Sequence, residues 1–329
     1  MRDIIKKVPI PTAGVALGLA ALGNLLQPYT EIIHIVCGAL ALLLIVLLAA
    51  KIIMFPGMIR DDLHNSIMAS VSATLFMTLM QLAGYLAPLA YVPAFVLWST
   101  AIIAHLALMG WFTVRFIAHF KLHEVFPTYF ICYVGIVVAS ATAPSFGMEP
   151  VGHLLFWFGF ACYLVLLALV TYRYVKHEIP ESARPLFCIY TAPMSLSIVG
   201  YLATAPEPNP LFVGIMLVLA QALFVVVLTR LPILLRLKFY PSYAAMTFPF
   251  VITATALIKA LAFFQASGLF VPEALYVLFA AEAAVSVVMV GYVLAHYLHF
   301  FFKRIEAPES AAVIRENKQI ARFSENFEN

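Results

Sequence analysis

Apolar residues run through this chain in long blocks, separated by short polar stretches at regular intervals. Ten blocks can be read, at residues 9–25, 32–54, 66–86, 92–114, 127–143, 151–172, 185–203, 210–229, 241–263 and 273–302. Most approach or exceed the ~20 residues that a helix needs to cross a hydrocarbon core. The first and fifth are short. The pattern predicts an all-α integral membrane protein of ten transmembrane helices, with residues 1–306 as the membrane domain and 307–329 as a polar cytoplasmic tail.

Charge gives the helices a direction. Arg2, Lys6, Lys7, Lys51, Arg60, Arg115, Lys121, Arg173, Lys176, Arg184, Arg230, Arg236, Lys238 and the residues from Lys303 onward fall on one side of such a bundle. The opposite loops carry only Glu31, Glu149, Glu207 and Glu273, and of 19 Lys and Arg only Lys259 leaves the first side. By the positive-inside rule both termini are expected in the cytoplasm and the protein in the cell membrane. A basic start followed by an apolar block also fits a signal peptide, though its proline and glycines make a poor apolar core and cleavage would leave the rest of the topology unchanged. Composition agrees with the membrane reading, at 64% hydrophobic and 11% charged residues, where a soluble domain carries roughly 25% charged. The four cysteines, Cys37, Cys132, Cys162 and Cys188, form no C-x-x-C pair and imply neither disulfide nor zinc.

An internal repeat emerges when the outward-going helices are aligned by their starts. Pro11-Thr12, Asn65-Ser66, Pro127-Thr128, Arg184-Pro185 and Pro241-Ser242 mark five helical hairpins, proline being tolerated in a first helical turn. Odd helices hold small and hydroxyl residues, among them Gly14, Gly18, Ser70, Thr74, Gly135, Ser197 and Thr255, whereas even helices are dominated by Leu, Val, Ala and Phe. Two readings are open. Such residues commonly mark tight helix contacts; alternatively the odd helices form an inner ring lining a pathway and the even ones face lipid.

Proline repeats the odd-helix pattern. Pro193 and Pro249 interrupt the seventh and ninth helices, and each is expected to kink its helix by removing an amide donor and freeing the carbonyl of Ile189 or Ala245. Phe248 precedes Pro249 and shares a helical face with Ile252, Thr255 and Lys259. Phe248 is thus either an aromatic plug in a pathway or an ordinary packing residue. Lys259 is a selectivity candidate or a snorkelling interfacial charge. Glu282, deep in the tenth helix, is expected to pair with Lys259 or to serve as a proton site. His34, His105 and His153 lack metal spacing and read as packing or interfacial residues.

The runs PIPTAGVALGLAALGN, TAPMSLSIVGY and YAAMTFPFVITATA, set in five hairpins, resemble the tellurite-resistance and dicarboxylate transporter family, TehA-like, which includes the slow-type anion channel of plant guard cells. The resemblance implies a homotrimer whose protomers each carry a pore lined by the odd helices and closed by a phenylalanine on the ninth, here Phe248. It implies chloride- or nitrate-like anions as cargo, or C4-dicarboxylates such as malate in the transporters. The chain departs from the family at Cys132 and Tyr133, where members often have a mid-helix proline, and in a third helix without proline.

A gated anion channel fits this pattern best. A proton-coupled dicarboxylate or tellurite-related carrier is the alternative, with Glu282 as the buried acid. No H-E-x-x-H or G-x-S-x-G motif and no haem-like histidine pair points to an enzyme. Nothing in the chain calls for a cofactor, a metal ion or a nucleic-acid partner.

Overall fold

The computed structural model describes residues 2–303, and among them every regular element is helical. Eight helices are long and apolar enough to cross a membrane: Glu31–Met54 (second), Ser66–Leu86 (third), Tyr91–Ile117 (fourth), Glu149–Lys176 (sixth), Glu181–Thr204 (seventh), Pro210–Leu234 (eighth), Pro241–Ala266 (ninth) and Glu273–Phe302 (tenth). A ninth is added if Thr128–Val134 and Val137–Phe146, bent by 52°, count as one (fifth). The first, Thr12–Leu26, is a 15-residue apolar helix, about 22 Å at 1.5 Å per residue and so short of the hydrocarbon thickness. A tight turn precedes it, in which Thr12, Ala13 and Gly14 donate to the carbonyls of Pro9, Ile10 and Pro11. The predicted tail lies outside the described residues, as do residues 304–306.

Burial separates odd helices from even ones. The apolar windows of the seventh, ninth and third are 83%, 67% and 56% buried, against 33–39% for the five even helices. Packing explains the difference: the first helix meets the third, the third the fifth, the fifth the seventh, the seventh the ninth, and the ninth the first. The odd helices thus form a closed cycle, and every even helix lies against the odd helix of its own hairpin.

Side-chain hydroxyls cross the seams of the cycle. Thr78 on the third helix lies 3.0 Å from the carbonyl of Ala13, and Thr247 on the ninth lies 3.0 Å from that of Gly14, so the first helix is engaged from both flanks. The hydroxyls of Ser70 and Thr128 meet at 2.7 Å between the third and fifth, and those of Ser195 and Thr253 lie 3.3 Å apart between the seventh and ninth. The fifth–seventh seam is closed instead by Gly200, which lies against Val137 and Ser140. Inter-helix hydrogen bonds of this kind contribute about 0.6 kcal/mol each in a membrane.

The prolines do not interrupt continuous α-helices, which corrects that part of the sequence expectation. Pro193 and Pro249 stand in the first turn of the α-helical segments Ala192–Thr204 and Phe248–Ala266, each preceded by a 3₁₀ segment, Glu181–Thr191 or Pro241–Met246. A first-turn amide has no i−4 partner to lose. Breaks at the same stage occur at Ser72 in the third helix and around Gly135 in the fifth, neither of which has a proline there. Every odd helix after the first is therefore built of two segments.

Donors from even helices fasten the N-terminal ends of odd ones. Lys51 of the second helix donates to the carbonyl of Val8 at 2.7 Å, Arg173 of the sixth to that of His123 at 3.3 Å, and Tyr297 of the tenth to that of Pro241 at 2.5 Å. Lys7 reaches the carbonyl of Lys303, so the two ends of the described chain meet.

Gly18 abuts the segment junction of the ninth helix; a Cβ there would lie 2.5 Å from Thr247 Cβ and 3.0 Å from the Phe248 amide nitrogen. Gly18→Ala is expected to destabilise the protein by about 1–3 kcal/mol through overpacking. Gly84→Ala, where a Cβ would meet nothing within 4 Å, should leave stability unchanged or raise it by up to ~1 kcal/mol. Thermal unfolding of both variants in detergent checks this; equal effects would contradict the seam.

Candidate functional site

The ninth helix changes from 3₁₀ to α at Thr247, whose backbone (φ −105°, ψ −89°) belongs to neither type. Its hydroxyl sits 2.7 Å from the carbonyl of Ala244 and 3.0 Å from that of Gly14, which fixes the junction against the first helix. Phe248 follows at once, 5% exposed, on a helix that is a member of the closed cycle. Phe250 meets Phe224 edge-on at 6.0 Å, whereas Phe248 has no ring partner among the described residues. The two phenylalanines flanking Pro249 are therefore differently placed: one is tied to an outer helix by its ring, the other is not.

The residues expected to line a pathway are mostly seam residues. Gly14 faces Ala244 and Thr74, Gly18 faces Thr247, and Gly135 lies against Met77 and the carbonyl of Ile131. The hydroxyl protons are already committed. Ser70 lies 2.6 Å from the carbonyl of Ser66, Thr74 donates to Val71 at 2.7 Å, Ser197 to Pro193 at 2.7 Å and Thr255 to Val251 at 2.8 Å. Thr253 likewise donates to Pro249 at 2.8 Å. A hydroxyl has one proton to give, so each presents lone pairs outward, the wrong polarity for an anion.

Lys259 and Glu282 do not pair, contrary to one sequence expectation. Lys259 is exposed, and no ion pair joins it to Glu282 among the described residues. Glu282 is 1% exposed, on the inward stripe that also holds Phe279, Ser286 and Met289, and neither carboxylate oxygen has a hydrogen-bond partner. The amide of Gln221 on the eighth helix approaches it, yet its Nε2 also lacks a partner within hydrogen-bonding geometry. The ninth helix is flanked by the seventh and first and backed by the eighth and tenth. The half-buried Thr255 and exposed Lys259, one turn apart, lie on the part of its surface that these neighbours leave open.

Histidines take packing roles. His34 stacks on Tyr85 at 4.0 Å, His105 contacts the carbonyl of Cys132 at 2.8 Å, and His153 accepts from Trp157 at 3.0 Å. Lys51 and Arg173 are buried, although both read in the sequence as loop charges. The signal was available: Arg173 continues the stripe Gly152, Phe156, Gly159, Tyr163, Leu166 and Val170 at helical spacing.

A family model described as a voltage-dependent anion channel matches residues 7–298. No curated protein matches the chain.

Because Lys259 and Glu282 are not in contact, the effects of Lys259→Gln and Glu282→Gln on stability should add to within about 0.5 kcal/mol in a double-mutant cycle. A coupling above about 1 kcal/mol would show that they interact directly.

Proposed function

The chain belongs to the voltage-dependent anion channel family, and from that premise we propose that it is a gated channel for small anions of the chloride or nitrate kind. In this reading ten crossings arranged as five hairpins place the odd helices around a path, the even helices outside, and both termini in the cytoplasm of a cell membrane. The contact between Lys7 and the end of the tenth helix favours an even number of crossings. Assembly as a homotrimer, each protomer with its own path, is taken from the family resemblance.

The observation that carries the proposal is the position of Phe248. It is buried at a discontinuity of a helix that belongs to the closed cycle, and among the described residues no aromatic partner holds its ring; in this reading the ring faces the path. A bare ion in a low-dielectric medium costs on the order of tens of kcal/mol. An aromatic ring that keeps the path dry therefore blocks conduction both sterically and electrostatically. Lys259, on the open surface of the same helix, supplies a fixed positive charge toward the outer end. Opening then requires the Phe248 ring to turn aside and water to enter, since the neighbouring hydroxyls are occupied by backbone carbonyls.

The buried, unpartnered Glu282 keeps a second reading in play, a proton-coupled carrier of C4-dicarboxylates. Planar-bilayer recording on reconstituted protein separates them. Removing a barrier of about 1.4 kcal/mol raises a rate tenfold, so Phe248→Ala is expected to increase anion current at least about tenfold. Lys259→Gln should lower the preference for anions over cations. Unchanged current in Phe248→Ala, together with electrically silent, pH-driven malate uptake that Glu282→Gln abolishes, would favour the carrier.

A further inference from the structure

Arg173 is a buried cation with no ion-pair partner among the described residues. It is 2% exposed, at the last turn of the sixth helix, and reaches the segment that leads into the fifth. One nitrogen, Nη2, donates to the carbonyl of His123 at 3.3 Å. The other two, Nε and Nη1, are buried and have no hydrogen-bond partner among the described residues. Its guanidinium carbon lies 4.2 Å from the ring centre of Phe126 and 5.7 Å from that of Tyr174. The Tyr174 hydroxyl is also buried and unpartnered. The carboxylate of Glu124, next in sequence to His123, lies 3.8 Å from Lys121 and 3.9 Å from His123.

These contacts do not add up to a full negative charge. A carbonyl and two aromatic faces offer partial charge, and the C-terminal end of a helix about half an elementary charge. Buried charges in proteins are otherwise paired and hydrogen-bonded, because an uncompensated one costs several kcal/mol. Lys51, at the matching place in the first hairpin, differs: its ammonium donates to Val8 at 2.7 Å and is not left unsatisfied. We propose that Arg173, with the Tyr174 hydroxyl beside it, forms a binding site for an anionic phosphate group that completes the charge at the N-terminal end of the fifth helix. The planar guanidinium suits oxyanions, which its N–H groups match in geometry. The phosphate is either that of a membrane lipid or a free inorganic ion. Tyr174 also lines an apolar groove with Leu167, Thr171, Phe187, Tyr190 and Leu223, which would give a lipid chain its place.

This site lies apart from Phe248 and stands whether the protein is a channel or a carrier. It is tested on the full-length protein purified in detergent, comparing sodium phosphate with sodium gluconate at equal ionic strength, and separately adding phosphatidylglycerol. A ligand that binds the folded state alone raises Tm, here by about 2–4 °C. Arg173→Gln should lose that rise, Arg173→Lys should keep part of it, and Phe248→Ala should keep all of it. A response to phosphate assigns the site to a free anion. A response to phosphatidylglycerol alone, with co-purified lipid in native mass spectra that Arg173→Gln loses, assigns it to a lipid phosphate. A wild-type protein indifferent to both additions, or an Arg173→Gln variant that responds as fully as wild type, overturns the proposal.

Discussion

Close approach of the inner backbones is the constraint on which the rest of the molecule depends. Helices in a membrane gain little from hydrophobic association, since lipid tails are as apolar as their own side chains. What joins them is contact between small residues and hydrogen bonds between helices. The cycle of odd helices uses both, with Gly18 pressed on the Thr247 junction and Gly200 on Val137, and with Thr78 and Thr247 reaching the first helix from either flank. The even helices can then remain almost wholly aliphatic and aromatic.

That same packing limits what the interior offers an ion. Most inner serine and threonine protons are directed at carbonyls of their own helix or of the neighbour, Thr12 being an exception, so few donors are free where an anion would pass. Charge is placed at the ends instead. Lys259 is exposed toward the C-terminal end of the ninth helix, while Lys51 and Arg173 are buried where the first and fifth helices begin. In a medium of low dielectric such charges act over longer distances than in water. The proposed path is thus dry and donor-poor at its middle, with positive charge toward both ends, and a single ring is enough to close it.

Much of this was legible in the sequence, for identifiable reasons. Long apolar runs, the segregation of Lys and Arg and the contrast between Leu-rich and Ser/Thr-rich runs are one-dimensional signals, and burial follows the last of them closely. The breaks were legible only in part. Proline announced those at Pro193 and Pro249, but it sits after a 3₁₀ segment and not inside an α-helix, a difference that local sequence does not encode. The equivalent breaks at Ser72 and Gly135 carry no proline and were missed. Glycines and hydroxyls left two readings open, helix contacts or a pathway lining, because one residue type serves both roles; most of the glycines lie against a neighbouring helix. Arg173 and Lys51 looked like loop charges because charge bias was weighed without the helical stripe on which each lies.

Cysteine accessibility tests the central claim most directly: water reaches the ring of helices from outside and stops at one side chain. In a background free of the four native cysteines, Thr255→Cys should react with a membrane-impermeant thiol reagent applied outside. It should resist the same reagent applied inside, and become reactive from inside when Phe248→Ala is added. A Thr255→Cys protein that is unreactive from outside, or that reacts from inside with Phe248 in place, would contradict the account.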